Sequence, residues 1–467
     1  MTATPAARPP IGTVQLTALL DGDSWRNAGH GPLARRLAHV VRSRIRSGLL
    51  PEGTVLPPER ALARALDLSR STVVAALDEL RAEGIVDSRH GSGTWVAATG
   101  HGEDAGVVAD RLLRGGSNLN LAASVPADAS HLPDLRVDVA DFVSVTPAHG
   151  YAPAGLPALR DAIAQRWRAL GVRTVPAQIH VTNGAQHAID LALGALTRPG
   201  DVVALEDPTY VGVFDVLDAR GLRPLPIPLD ALDDDGLARL CRAGRARALF
   251  LVPGVHSPTG RVRRTSAVRR LAHELDELGL PVVADETLSD LAFDGRRPLS
   301  LAAACTRAPV VTVESTSKVA WGGLRVGWLR ADRDVIERTV AERSRHDFGT
   351  AIPSQLLALR LLRDHDELVA RRRDALRSAA ATMTSLLRRE LPGWRFVAPA
   401  GGLSMWVDTG MDAARFSERA LEHGVTVAAG SSASRGHEAH THLRLCFDRP
   451  ALELEAAITR LARAAQT

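Results

Sequence analysis

The chain has 467 residues, more than one ordinary domain holds, with the 45% apolar and 24% charged composition of globular protein. Net charge is only +4. Residues 1–97 hold 12 Arg against 9 Asp+Glu, so +3 falls in the first fifth, a mild bias toward nucleic acid. No apolar run approaches the roughly 18 residues that a membrane span needs, and the start lacks the basic-then-apolar order of a secretory signal. Cys241, Cys305 and Cys446 lie far apart, which excludes a disulfide framework and a metal cluster. No metal site is expected, and a reducing cytoplasm is the expected compartment.

Residues 1–31 are rich in Pro, Gly and Ala and read as a flexible N-terminal arm. From Pro32 the pattern turns helical. Leu33, Leu37, Val40, Val41 and Ile45 fall on one face, with Arg35, Arg36, Arg42 and Arg46 on others. Residues 49–58 read as a turn. A second helix starts near Pro58-Glu59-Arg60, with proline where its missing N–H is harmless and Leu62, Ala65 and Leu66 facing inward. Ser69 is placed to cap a third helix, which carries Arg70, Ser71 and Thr72 in its first turn and buries Val73, Leu77 and Leu80. Gly84 ends it, and residues 85–96 read as two short strands around a tip holding Arg89, His90 and Gly91.

Three helices and a hairpin make a winged helix-turn-helix, whose third helix enters the major groove by its N-terminal end. Short hydroxyls and terminal amides suit phosphates there, and an arginine such as Arg70 reads guanine edges. Residues 32–97 resemble the GntR-type DNA-binding head. The resemblance rests on Leu56-Pro57-Pro58-Glu59-Arg60, Leu68-Ser69-Arg70-Ser71-Thr72-Val73 and Gly91-Ser92-Gly93-Thr94. It implies that Arg60, Ser69, Arg70, Ser71, Arg89, His90 and Gly91 touch DNA, with Thr72 beside them on the same helix start.

Residues 98–117 read as a linker. Beyond it, apolar strands expected at 179–182, 202–205, 248–252, 282–284 and 310–313 alternate with helices at 156–170, 186–196, 211–219 and 266–278. That alternation predicts an α/β fold with a mostly parallel sheet and sites at the carboxyl ends of its strands. The large domain is taken as residues 118–467, with a smaller α+β lobe from about 395.

Lys318 is the only lysine; every other member of the 57 Lys+Arg residues is arginine. Arginine is always charged and cannot act as an amine nucleophile, whereas a lysine amine can lose its proton and condense with a carbonyl. Hydroxyls precede it at Ser315 and Ser317, and Arg325 follows, a set able to hold a phosphate. Other candidates fall at strand ends. Gly184-Ala185-Gln186 opens a helix whose free amides suit a phosphate. Tyr210 and Tyr151 are the only tyrosines. Ser257 lies in a loop of turn formers, and Asp285 ends an apolar strand, where a carboxylate needs a partner. A protonated pyridinium nitrogen is such a partner.

These motifs, in this order, resemble the fold-type I enzymes that use pyridoxal 5'-phosphate (PLP), the aspartate aminotransferase superfamily. Joined to a GntR head, they resemble the MocR family of transcriptional regulators over the whole chain. The resemblance implies that Lys318 carries a Schiff base to PLP, that Asp285 pairs with the ring nitrogen and that Tyr210 stacks on the ring. It implies that Ala185, Gln186, Ser315, Ser317 and Arg325 hold the phosphate. Tyr151 matches a tyrosine reaching a neighbouring subunit's phosphate, hence a homodimer, and Arg444 matches the arginine that grips a substrate carboxylate. Two positions depart from the pattern. Ser257 stands where aminotransferases carry asparagine, and Thr287 is offered where a tyrosine also faces the cofactor O3′. Both departures blunt transamination, so the expectation is a regulator that binds an operator and senses PLP, a vitamin B6-type compound or an amino acid at Lys318. An active aminotransferase with a DNA-binding head is the alternative.

Overall fold

The computed structural model describes residues 11–20, 32–46, 50, 53–82, 85–89, 93–96, 118–126, 129–145, 149–232 and 236–466. The linker expected at 98–117 and the wing-tip residues His90 and Gly91 lie outside them. The chain divides into two compact units, residues 1–105 and 106–467.

In the first unit the helices are Thr13–Leu19, Leu33–Arg46, Glu59–Ala65 and Arg70–Ala82. Strands Val55–Leu56, Gly93–Val96 and Val86–Arg89 form an antiparallel sheet in that order. The winged helix-turn-helix is present, with three corrections. The arm expected at 1–31 contributes a helix, because Leu16 and Leu20 find burial in the same core as Leu37, Leu62, Val73 and Leu80. The turn expected at 49–58 contributes the Val55–Leu56 strand, which satisfies its backbone against Trp95 and Thr94. Leu33 is exposed and Ala63, rather than Ala65, joins the core, since the helix faces are set by packing against the neighbouring helices.

The second unit is built on a seven-stranded sheet. Across it run Ile179–Thr182, Gly327–Arg330, Val310–Ser315, Val282–Asp285, Ala248–Leu251, Val202–Asp207 and Arg223–Pro228. Only Gly327–Arg330 runs antiparallel to its neighbours. All five expected strands are present, and their carboxyl ends share one sheet edge. Helices Ala185–Leu196 and Gly212–Ala219 bury one face, and Thr265–Leu278 and Leu237–Ala243 the other.

Two strands escaped the periodicity. Arg223–Pro228 holds prolines at alternate positions, 224, 226 and 228. It pairs only with Val202–Asp207, and Arg223 N–H donates to Asp201 O at 2.9 Å. The prolines therefore occupy the alternate positions, whose missing N–H groups would face outward from an edge strand and be unpaired anyway. Gly327–Arg330 is short and follows the Lys318 loop directly.

The smaller lobe carries an antiparallel sheet ordered Arg395–Phe396, Ser404–Asp408, His442–Cys446 and Ala428–Ala429. Its core reaches further back than residue 395. Leu376 and Met383 of the His365–Glu390 helix share a buried cluster with Phe416, Phe447 and Leu461. Leu119–Asn120 pairs in parallel with Val425–Thr426, and Leu121 joins the same cluster. Among the described residues no helix is long and apolar enough to cross a membrane, and no group of side chains is arranged to hold a metal ion.

Candidate functional site

On the head, the start of the Arg70–Ala82 helix is preorganised by hydroxyls. Ser69 Oγ accepts from Thr72 N–H at 3.1 Å and lies 2.8 Å from Ser71 Oγ and 2.7 Å from Thr72 Oγ1. Arg60, Ser69, Arg70 and Ser71 are exposed. Arg70 rests on Glu59 at a long 3.3 Å, an exposed ion pair that costs little to break. Arg89 ends the Val86–Arg89 strand opposite Gly93.

In the large unit, Gly184 sits at φ +84°, a left-handed conformation that a side chain resists, and precedes the Ala185–Leu196 helix. No side chain caps that helix. The Arg325 guanidinium lies over the same turn, donating to Asn183 O at 2.6 Å, and a Cβ built on Gly184 would stand 3.0 Å from Arg325 Nη2. Ser317 N–H donates to Ser315 Oγ at 3.2 Å, and the two hydroxyls are 3.1 Å apart. Uncapped amides, paired hydroxyls and a guanidinium together form an anion cradle. Gln186 Nε2 donates to Gly212 O at 2.7 Å, and a Cβ on Gly212 would collide with Gln186 and the Tyr210 ring. Glycine there lets Tyr210 lie against the helix start.

Past the cradle, Lys318 Nζ donates to Ser124 O at 2.6 Å. Burial drives its pKa down to about 8, the Arg444 cation pushes the same way, and Asp285 opposes them. Asp285 is itself pushed up by burial, against the Thr287 N–H, which donates to Oδ1 at 2.9 Å. Burial, then the Asp285 charge, raises the Tyr210 phenol above its usual range. Arg444 is buried on the small-lobe strand His442–Cys446 and donates to Ala122 O, while its Nε has no partner. Thr287 is likewise buried beside Asp285. Ser257 is buried in the loop after Ala248–Leu251. The unpaired donor on Arg444, the buried carboxylate of Asp285 and the turn at Gly184 could hold the parts of a phosphorylated, ring-bearing ligand with a protonated nitrogen. Tyr151 stands apart, 57% exposed, with its ring 5.4 Å from that of Phe348.

Residues 117–461 match the family described as aminotransferase class I and II, which is well over half of the chain. The chain belongs to that family. Residues 33–96 match the gntR family of bacterial regulatory proteins, and together the two give this aminotransferase-family chain the architecture of MocR-type regulators. It is 28% identical over 435 residues to YisV of Bacillus subtilis, named an uncharacterized HTH-type transcriptional regulator, spanning 85% of this chain and 89% of that one. It is 29% identical over 330 residues to the rhizopine catabolism regulatory protein MocR, so named with the qualifier "Probable", of Rhizobium meliloti, covering 64% of this chain and 65% of that one. Among solved structures it resembles LysN, the α-aminoadipate aminotransferase of Thermus thermophilus, complexed with N-(5'-phosphopyridoxyl)-L-leucine. The TM-score is 0.67 at 28% identity, over 76% of this chain and 94% of that one.

Several supporting residues of this aminotransferase-family unit were not legible in the sequence. Arg343 is fully buried and donates to Val181 O at 2.5 Å and to Asp347, which in turn accepts from Asn183 at 3.3 Å, fixing the turn before Gly184. Glu206 is fully buried, takes Val252 N–H at 2.5 Å and Arg263 at 3.1 Å, and ties down the loop of Ser257. Arg297 bridges Glu286, Asp290 and Glu314 at 3.1, 2.7 and 2.7 Å behind the Lys318 loop. Arg372, gripped by Asp448, donates to Lys318 O at 3.2 Å. The usable signal was a carboxylate at the end of an apolar strand, which Glu286 and Glu314 share with Asp285. Arg435, distant in sequence, brings its guanidinium within 3.9 Å of the Phe214 ring.

With a single lysine, the Lys318 titration can be read from mass-resolved labelling by an amine-directed reagent. The labelling midpoint is expected near pH 8. Arg444→Gln removes a like charge and raises that midpoint, whereas Asp285→Asn removes an opposite charge and lowers it. A midpoint near pH 10.4, the ordinary lysine value, in the wild-type chain would overturn this description.

Proposed function

We propose that this chain is a PLP-dependent transcriptional regulator, binding operator DNA through its head and reading an amino compound or a B6-type compound in the Lys318 pocket. The observation that carries the reading is one buried amine, flanked by Asp285 and Arg444, in the same chain as a helix-turn-helix with an open, hydroxyl-capped recognition helix.

The residues present fit PLP. Ala185 and Gln186 amides, Ser315, Ser317 and Arg325 would hold its phosphate. Asp285 would keep a proton on the ring nitrogen, and Tyr210 would cover the ring. When bound, PLP supplies an aldehyde for the Lys318 amine and an electron-withdrawing ring. A pKa near 8 leaves a sizeable neutral fraction of that amine at neutral pH, the form able to react. Arg444 orients a ligand carboxylate through a bidentate fork. Ser257 and Thr287 are short side chains at the positions where aminotransferases carry partners for the cofactor O3′, so they would orient PLP less firmly. Tyr151 and Phe348, each 57% exposed, support a homodimer in which Tyr151 reaches the partner's phosphate. A bacterial regulator of this kind works in the cytoplasm.

The likeness to LysN favours a second reading, an aminotransferase that turns over. Two measurements decide. Purified protein given PLP should show a visible absorption band that Lys318→Ala abolishes, and with an amino donor and a keto acid it should complete at most one half-reaction. A band unchanged in Lys318→Ala would sink the cofactor assignment, and sustained turnover would favour the enzyme.

For the head, Arg70→Ala should cost about 1–3 kcal/mol of binding to the chain's own upstream DNA and relax its specificity. Retained specificity in that variant, measured by titration at fixed salt, would rule out this recognition helix.

A further inference from the structure

Lys318 and Arg444 come from different lobes of the large unit, yet both donate to one short stretch of backbone. Lys318 Nζ donates to Ser124 O at 2.6 Å, and Arg444 Nη2 donates to Ala122 O. These acceptors lie two residues apart on a strap, residues 121–125. Independent contacts hold the strap to the small lobe. Leu121 N–H donates to Thr426 O at 2.8 Å, and Cys446 N–H donates to Leu121 O at 2.8 Å. Ala122 and Ala123 N–H groups donate to Asn120 Oδ1 at 2.9 and 3.0 Å. Arg449 donates to Asn120 O at 3.2 Å and to Val125 O at 3.3 Å. The strap also lies near the start of the described part of the large unit, which resumes at residue 118 with the Leu119–Asn120 strand just before it.

Resting on the PLP reading above, we propose that this strap is the pocket's internal sensor. Its two carbonyls stand in for the ligand, and each is released by a different event. Lys318 gives up Ser124 O when its nitrogen is committed to the cofactor. Arg444 gives up Ala122 O when it meets a carboxylate, because a charged, bidentate acceptor outcompetes a single neutral carbonyl, and the Arg444 Nε still lacks a partner. The strap is thus a two-input device: the cofactor withdraws one donor, and an amino compound bearing a carboxylate withdraws the other. Only a ligand that binds the two strap states unequally can shift them. A B6-type compound without a carboxylate would release Ser124 O alone.

Amide hydrogen exchange on the full chain, resolved to peptides covering residues 119–126, tests this. Each lost donor is a charge-assisted hydrogen bond, so exchange at Ala122 and Ala123 should quicken roughly tenfold on PLP loading. Without cofactor, Arg444→Gln and Lys318→Ala should each quicken the same peptides, and Lys318→Ala should be insensitive to PLP. Unchanged or slowed exchange in wild-type protein whose visible band shows PLP bound would overturn the proposal. Should the band be missing, the cofactor reading fails instead. The two variants still decide the strap, since unchanged exchange in both would overturn it.

Discussion

A half-buried lysine whose amine shares a pocket with a buried guanidinium is the constraint on which the large unit depends. Two cations in a low-dielectric pocket repel, and desolvation adds to the cost of keeping both charged. The chain resolves this by letting Lys318 approach neutrality, by setting Asp285 between strand and pocket, and by giving each cation a backbone carbonyl. The same arrangement leaves part of the lysine neutral and the arginine only partly satisfied. On the proposed function, reactivity toward a carbonyl and affinity for a carboxylate would both come from this one electrostatic compromise.

Around it, the sheet acts as a positioning device. Five parallel strands deliver Gly184, Tyr210, the Ser257 loop, Asp285 and Ser315 to one edge. The small lobe supplies Arg444 and, through Arg372, a donor to the Lys318 carbonyl. Buried ion pairs behind the edge, such as Arg343 with Asp347 and Arg297 with its three carboxylates, are weak evidence for stability. They are better understood as fixing loop geometry, because removing one partner leaves an uncompensated charge.

Much of this was legible in the sequence, for identifiable reasons. Parallel strands buried on both faces read as apolar runs, so their positions emerged directly. Lys318 stood out because arginine cannot do its chemistry. The proline-bearing edge strand escaped because proline argues against a strand until its edge position is known. Thr13–Leu19 escaped because a seven-residue helix is held by tertiary burial of Leu16, which local pattern does not report. The strap at residues 121–125 was invisible for a different reason: its role lies in two carbonyl oxygens, which every residue has. Arg449 and Asp448 gave no signal either, since their partners are more than 70 residues away or are backbone.

On the proposed function, occupancy of Lys318 is a term in the DNA affinity of the same chain. Coupling of this kind is a free energy shared between two sites. The most direct test is the affinity of the full chain for its own upstream DNA, by fluorescence anisotropy at fixed salt, with and without PLP, in wild type and Lys318→Ala. PLP is expected to shift the wild-type affinity and to leave that of Lys318→Ala unchanged. Equal wild-type affinities with and without bound PLP would contradict it.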